Sequence, residues 1–291
     1  MPLREQTQPT VRTVALLIVF LIAAGCAGVD LKRIDPNRAL QSAVQLAQAA
    51  VPIDTEKEIK IGRGVAAKIA GKFGIDSDPA LTRYVALVGT AVAGLSDRAD
   101  LPYRFAVLNS DTINAFAAPG GFIFVTRGAI RQAKDEAELA GILAHEVAHV
   151  TQRHVVKEIQ KANLIGAAGS VGATALDTDP KLFEKVADFA ADLLFKGLAK
   201  EDEYEADRLG TEYASRLGYF PLGLRDFITS LASQRPGEDK SKAAMLFATH
   251  PKPADRVAMI DRYLGQHPLP TAGRPRLAGR FERSTGMLRR E

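Results

Sequence analysis

Apolar positions recur along the chain with two different periods, and the change of period divides it. Asp54-Thr55-Glu56-Lys57-Glu58 supplies an N-cap and first-turn acids, and Ile61, Val65, Ile69 and Phe73 follow at helical spacing. Asp78-Pro79 opens a second helix with Leu81, Val85, Val88, Val92 and Leu95 on one face. Proline is harmless there, because a first-turn N–H has no helical partner to lose. Upstream, the Ala-, Gln- and Leu-rich residues 39–50 read as a short helix ended by Val51-Pro52.

From Tyr103 the period shortens. Tyr103 to Leu108, Ile113 to Ala117 and Gly121 to Val125 are β-prone runs separated by the turn residues Asn109-Ser110-Asp111 and Pro119-Gly120-Gly121. They predict a small antiparallel sheet. From Thr126 to about Leu264 nearly everything reads as helix, so the fold class expected is α+β, mostly helical. The exception is the stretch 166–178, rich in Ala and Gly and without a clear face, which reads as a partly mobile segment. No repeat of roughly 30 to 45 residues follows the helical region.

Composition adds limits. The chain has 291 residues, 46% of them hydrophobic, which suits one large domain with extensions. Lys+Arg 38 against Asp+Glu 34 gives +4, too slight a balance to imply nucleic acid. Much of the excess lies at the end, where Arg274, Arg276, Arg280, Arg283, Arg289 and Arg290 face only Glu282 and Glu291. With Pro and Gly and few large apolar residues, 265–291 reads as a basic, disordered tail.

At the other end, Arg4 and Arg12 precede an apolar run over 14–24, shorter than the roughly 20 residues a spanning helix needs. It reads as a secretory signal over 1–25. The run closes on Ala23-Ala24-Gly25-Cys26, and Cys26 is the chain's one cysteine, so it has no intramolecular disulfide partner. The arrangement resembles a bacterial lipoprotein signal, with Ala23 where Leu is preferred. That resemblance implies lipidation of Cys26, and Ala27 after it implies the outer membrane. Residues 26–52 are then the anchor and N-terminal helix.

Candidate chemistry sits in 135–154, a helix whose Ala137, Leu139, Ala140, Ile142, Leu143, Val147, Ala148 and Val150 make it apolar enough to be central to a core. Inside it stands His145-Glu146-Val147-Ala148-His149. Histidines four apart share a helix face and can present two imidazole nitrogens to one metal ion. Glu146, turned by about 100° from His145, lies beside that ion as a candidate general base. His154 reads as a polar residue near the end of the same helix. Catalytic zinc usually takes a third protein ligand, and no second cysteine exists to provide it. Carboxylates in Glu201-Asp202-Glu203-Tyr204-Glu205-Ala206-Asp207 are the candidates. The buried stripe Ala206, Leu209, Gly210, Tyr213, Ala214 and Leu217 is flanked by Glu203 and Asp207, with Asp202 also near it, whereas Glu201, Glu205 and Glu212 point away.

These motifs, together with Asn114-Ala115-Phe116-Ala117-Ala118-Pro119-Gly120-Gly121 and His250-Pro251 with Arg256, resemble the HtpX-like zinc endopeptidases, a family that includes the CAAX prenyl proteases. The likeness is greatest to periplasmic lipoprotein members and runs from about Pro52 to Leu264. It implies a gluzincin-type core over 53–264, the small sheet lying beside the zinc-binding helix. It also implies one zinc held by His145, His149 and Glu203, and Asp207 orienting a ligand imidazole. The strand with Asn114, Ala115 and Phe116 would pair with an extended substrate, His250 would close off the metal or stabilise an oxyanion, and Arg256 would brace Asp207 or the substrate carbonyl. Substrates implied are unfolded or misassembled envelope proteins. A chaperone-like binder with its zinc site closed by His250 is the alternative.

Overall fold

The computed structural model describes residues 53–162, 176–232, 241–286 and 288. The signal over 1–25, Cys26, the helix at 39–50 and all but the last three residues of 166–178 lie outside them.

Both N-terminal helices start where their caps predict. Asp54 accepts a hydrogen bond from Lys57 N ahead of α1 (Thr55–Phe73), and Asp78 accepts from Ala80 N and Leu81 N ahead of α2 (Pro79–Ala93). The three β-prone runs become β1 (Arg104–Leu108), β2 (Ala115–Ala118) and β3 (Phe122–Thr126). Their order is β1-β3-β2, and the sheet is mixed, not antiparallel: β1 runs parallel to β3, and only β2 is antiparallel to it. The difference lies in the two connections. Gly120 at φ 70° and Gly121 at φ 92° turn β2 tightly back onto β3. The link from β1 to β2, residues 109–114, instead steps over β3, about 10 Å away at two strand spacings and within reach of six residues. The step leaves β2 at an edge.

Behind the sheet runs α4 (Glu136–Thr151), reached through α3 (Arg127–Gln132) and capped by Asp135, which accepts from Glu138 N. All of its residues are buried, so it is packed on every side, as its apolar content predicts. It stops short of His154. Arg153, at φ 57°, breaks the path, and His154 begins a separate helix, α5 (His154–Lys161). The remaining helices are α6 (Pro180–Lys196), α7 (Lys200–Arg216), α8 (Gly223–Ala232), α9 (Ser241–Thr249) and α10 (Pro253–Gln266). One core lies between α2, the sheet, α4, α7 and α8; a second joins α1, the other sheet face, α5 and α6. None of the described helices is long and apolar enough to cross a membrane.

The tail expected to be disordered folds back. Residues 278–285 form α11 (Ala278–Thr285), whose Phe281 is fully buried against the ring of Tyr84 at 6.5 Å between centroids. Two of the tail's arginines have fixed acceptors: Arg280 grips the buried Glu136 with two nitrogens, and Arg276 bridges Asp135 (3.0 Å) and Asp226. Acids at the start of α4 and in α8 thus offset part of the basic excess, and one aromatic anchor supplies burial despite the few large apolar residues. The domain therefore extends past 264.

Phe281→Ala should lower unfolding stability by about 3–5 kcal/mol in a denaturant titration, as for other buried phenylalanines. A loss within about 0.5 kcal/mol would indicate a solvated appendage instead.

Candidate metal centre and cleft

The site forms where α7 crosses α4. A Cβ at Gly210 would lie 2.7 Å from the backbone nitrogen of His145, so the two helices meet with no side chain between them. This contact carries the first turns of α7 across the His145 face of α4. Glu203 and Asp207, the pair flanking the apolar stripe, come to rest against the histidines, 2% and 1% exposed.

His145 Nε2 and His149 Nε2 stand 3.0 Å apart, with their rings at 80°. Glu203 reaches both, Oε2 at 3.6 Å from His145 Nε2 and Oε1 at 3.5 Å from His149 Nε2. On its far side His145 presents Nδ1 to Asp207 Oδ1 at 3.0 Å. Arg256, 4% exposed, holds Asp207 with two nitrogens at 2.9 and 2.5 Å and brings Nη2 to 3.4 Å from His145 Nδ1. Of the two partners expected for Arg256, the structure places it on Asp207. His250 Nε2 lies 3.4 Å from Glu203 Oε2, and Thr249 Oγ1 is 2.8 Å from His250 Nδ1.

Burial works against charge on every one of these groups, and the neighbours decide which charges survive. Burial drives His149 well below its ordinary value and His250 down to about 4, so both are neutral imidazoles at pH 7. It opposes charge on His145 too, but the adjacent Asp207 and Glu203 carboxylates outweigh it and push that pKa up to about 9. Asp207, despite its burial, is held at about 2 by the Arg256 guanidinium. Burial lifts the Glu146 carboxyl to about 7. Glu203 is kept well below the carboxylate range by the surrounding imidazoles, which overcome its burial.

A cation fits this arrangement. Asp207 has Arg256 as a permanent counter-charge, whereas the buried Glu203 has only imidazoles beside it, and its Oε2 has no hydrogen-bond partner. Two ring nitrogens and one carboxylate oxygen thus converge within 4.8 Å of one another, a donor set of the His/His/Glu kind that suits zinc. His145, Glu146 and His250 form a second, overlapping set of possible ligands.

Two adjoining hollows of about 350 and 300 Å³, open mouths included, share Ala115, Glu146 and His250 in their walls. The edge strand β2 runs along them, with Phe116 and Ala117 beside His149 and Glu203 in the second. Asn114 lines the first, 2% exposed, with neither atom of its side-chain amide hydrogen-bonded. Of the site residues expected from the sequence, His145, Glu146, His149, Glu203, Asn114, Ala115, Phe116, His250 and Arg256 line these hollows, and Asp207 stands behind His145.

Sequence reasoning missed His154, which is fully buried and touches His149, Nδ1 to Nδ1, at 2.8 Å. It also missed Glu205, 3.1 Å from His154 Nε2, after placing that residue on the outer face of its helix. Neither could be found by periodicity, since the break at Arg153 redirects the chain.

Comparison with known proteins gives this geometry a lineage. Residues 79–264 match the profile of peptidase family M48. The chain belongs to this peptidase family. The M48 match starts at the first residue of α2, ends within α10 and includes His145, His149, Glu203, Asp207, His250 and Arg256. A beta-barrel assembly-enhancing protease of Yersinia pestis is 28% identical over 269 residues, 89% of this chain and 55% of that protein. A putative beta-barrel assembly-enhancing protease of Vibrio cholerae is 29% identical over 199 residues, 66% of this chain and 41% of the relative. A protease HtpX homolog of Salinibacter ruber is 30% identical over 204 residues, 59% of this chain and 72% of that protein. The chain spans about half the length of the beta-barrel assembly-enhancing proteases it matches.

Arg256→Leu strands the Asp207 carboxylate in a dry site, and the expected cost is about 3–5 kcal/mol of unfolding free energy. Double replacement with Asp207→Asn should recover part of it in the same denaturant titration, and a variant as stable as the parent would contradict the pairing.

Proposed function

We propose that this M48 chain is a zinc-dependent endopeptidase of the bacterial cell envelope, hydrolysing unfolded or misassembled proteins. The observation that carries this reading is the convergence of His145, His149 and Glu203 within reach of a buried Glu146, beside the edge strand β2. These three residues would hold one zinc per chain, which would supply Lewis acidity, lowering the pKa of a water from about 15.7 to near 7 and polarising a carbonyl. The rest falls to side chains. An extended substrate lies along β2 at Ala115 and Phe116 as an added strand, a mode that uses backbone hydrogen bonds and demands little of sequence. The Asn114 amide, buried without partners, supplies a further donor and acceptor to its backbone. Glu146, lifted towards neutrality by burial, takes the proton of the attacking water and passes it to the leaving amine. Asp207, locked by Arg256, accepts a hydrogen bond from His145 Nδ1–H and so makes Nε2 the nitrogen that gives up its proton to face a metal.

His250 acts as a gate. Its Nε2 approaches the same Glu203 oxygen that faces His145, and with His145 and Glu146 it could hold a cation itself. At rest its ring stands in the wall shared by both hollows, beside Glu146, where an incoming substrate would have to displace it. The lipid anchor at Cys26 rests on the chain's N-terminal sequence alone, and the envelope location on that sequence together with the beta-barrel assembly in the relatives' names.

Glu146→Gln should keep one zinc per chain by elemental analysis while casein cleavage falls by about 10²–10⁴-fold, the usual contribution of a general base. Normal proteolysis by that variant would end the mechanism. His250→Ala should raise casein cleavage above the parent's rate. A variant that cuts no casein, yet still suppresses aggregation as the parent does, would favour the chaperone-like alternative.

A further inference from the structure

We propose that His154 is a positioning residue for the metal centre, the middle link of a chain from Glu205 through His154 to His149 that fixes which nitrogen of His149 faces the metal. The proposal rests on the metal-ligand reading of His149 given above.

Local backbone puts His154 there. Five residues beyond His149 on an unbroken helix, it would point about 140° away. The helix ends instead, and Arg153 takes a left-handed conformation that non-glycine residues seldom adopt. Two contacts hold that turn: Arg153 Nε donates to Glu58 Oε2 at 2.9 Å, and Nη2 donates to the carbonyl of Ile53. The turn brings His154 beneath His149, ring centroids 4.9 Å apart and planes at 76°.

Only one proton arrangement then satisfies the geometry. If His149 offers the Nε2 lone pair to a metal, its proton sits on Nδ1 and is donated to His154 Nδ1, 2.8 Å away. His154 therefore carries its own proton on Nε2, which points at Glu205 Oε2 (3.1 Å), with Asp202 Oδ1 at 3.6 Å. The opposite arrangement, with His149 protonated on Nε2 and His154 on Nδ1, would set a proton against the ligand site and turn the His154 Nε2 lone pair towards Glu205 Oε2. Each ligand imidazole is thus backed at Nδ1, His145 by a carboxylate and His149 by a second histidine that ends on one. Partners of this kind commonly set ligand basicity and orientation.

The test is a zinc competition titration of the purified full chain against a chromophoric chelator, with the visible spectrum of the cobalt-substituted protein as a second readout. His154→Phe fills the same space and removes both nitrogens; it should weaken zinc binding by about 10–100-fold and alter the cobalt bands. His154→Gln restores one acceptor and one donor and should bind more tightly than the Phe variant. Glu205 is partly exposed, so Glu205→Gln carries the test even where the Phe variant fails to fold, and it should weaken binding by a smaller factor. Variants that bind zinc like the parent, with unchanged cobalt bands, would overturn the positioning role alone. A parent chain that binds no zinc, or one that keeps it after His145→Ala, would overturn the metal-centre reading and this proposal with it. Two zinc ions per parent chain, one of them lost with His154→Gln, would also overturn it, making His154, Asp202 and Glu205 a site of their own.

Discussion

The site depends on how closely two helices can cross. At Gly210 the backbone of Lys200–Arg216 lies against the backbone of His145, and a single methyl group there would stand 2.7 Å from a main-chain nitrogen. That approach sets the reach of everything carried on the first half of the crossing helix. Glu203, about two turns before the crossing, arrives at the ring nitrogens of both histidines, whereas Asp207, closer to it, arrives at the back of His145. Holding the helices further apart would turn hydrogen-bond distances into gaps, since short carboxylate side chains have little length to spare.

Close packing alone would make this an unfavourable place for charge. Asp207, Glu203 and Glu146 are all nearly inaccessible, and unpaired carboxylates in such surroundings are costly. The structure resolves this unequally. Asp207 receives the full fork of Arg256, a buried pair that is useful less for net stability than for being fixed in place. Glu146 tends towards its neutral form. Glu203 is left with imidazoles only and one unbonded oxygen, so a cation that displaced the His145 proton would find its counter-charge there.

Much of this was readable before any coordinates. Apolar residues on all sides of 135–154 announce a central helix, the i, i+4 histidines announce a shared face, and the stripe through Ala206 and Tyr213 brings Glu203 and Asp207 towards the core. What periodicity cannot carry is a change of direction. The direction of β1 relative to β3 depends on a six-residue link stepping over a strand, and neither strand's side chains record that path. The tail misled for a related reason. Arg276 and Arg280 look like part of a basic cluster in one dimension, but Asp135, Glu136 and Asp226, far away in sequence, are the acids that receive them.

The same limit explains His154. Its neighbours in sequence give it an ordinary place at the end of a helix, and its burial results from one left-handed residue stabilised by Glu58, nearly a hundred positions earlier. Glu58 also accepts from the amide of Gly120, in the turn that leads from the edge strand back into the sheet. One buried carboxylate thus joins the helix break behind His149 to the turn beyond Ala118. The backing of a metal-facing imidazole and the end of the strand that borders the cleft are held by the same side chain, so the cleft and the donor set keep their spacing as a unit.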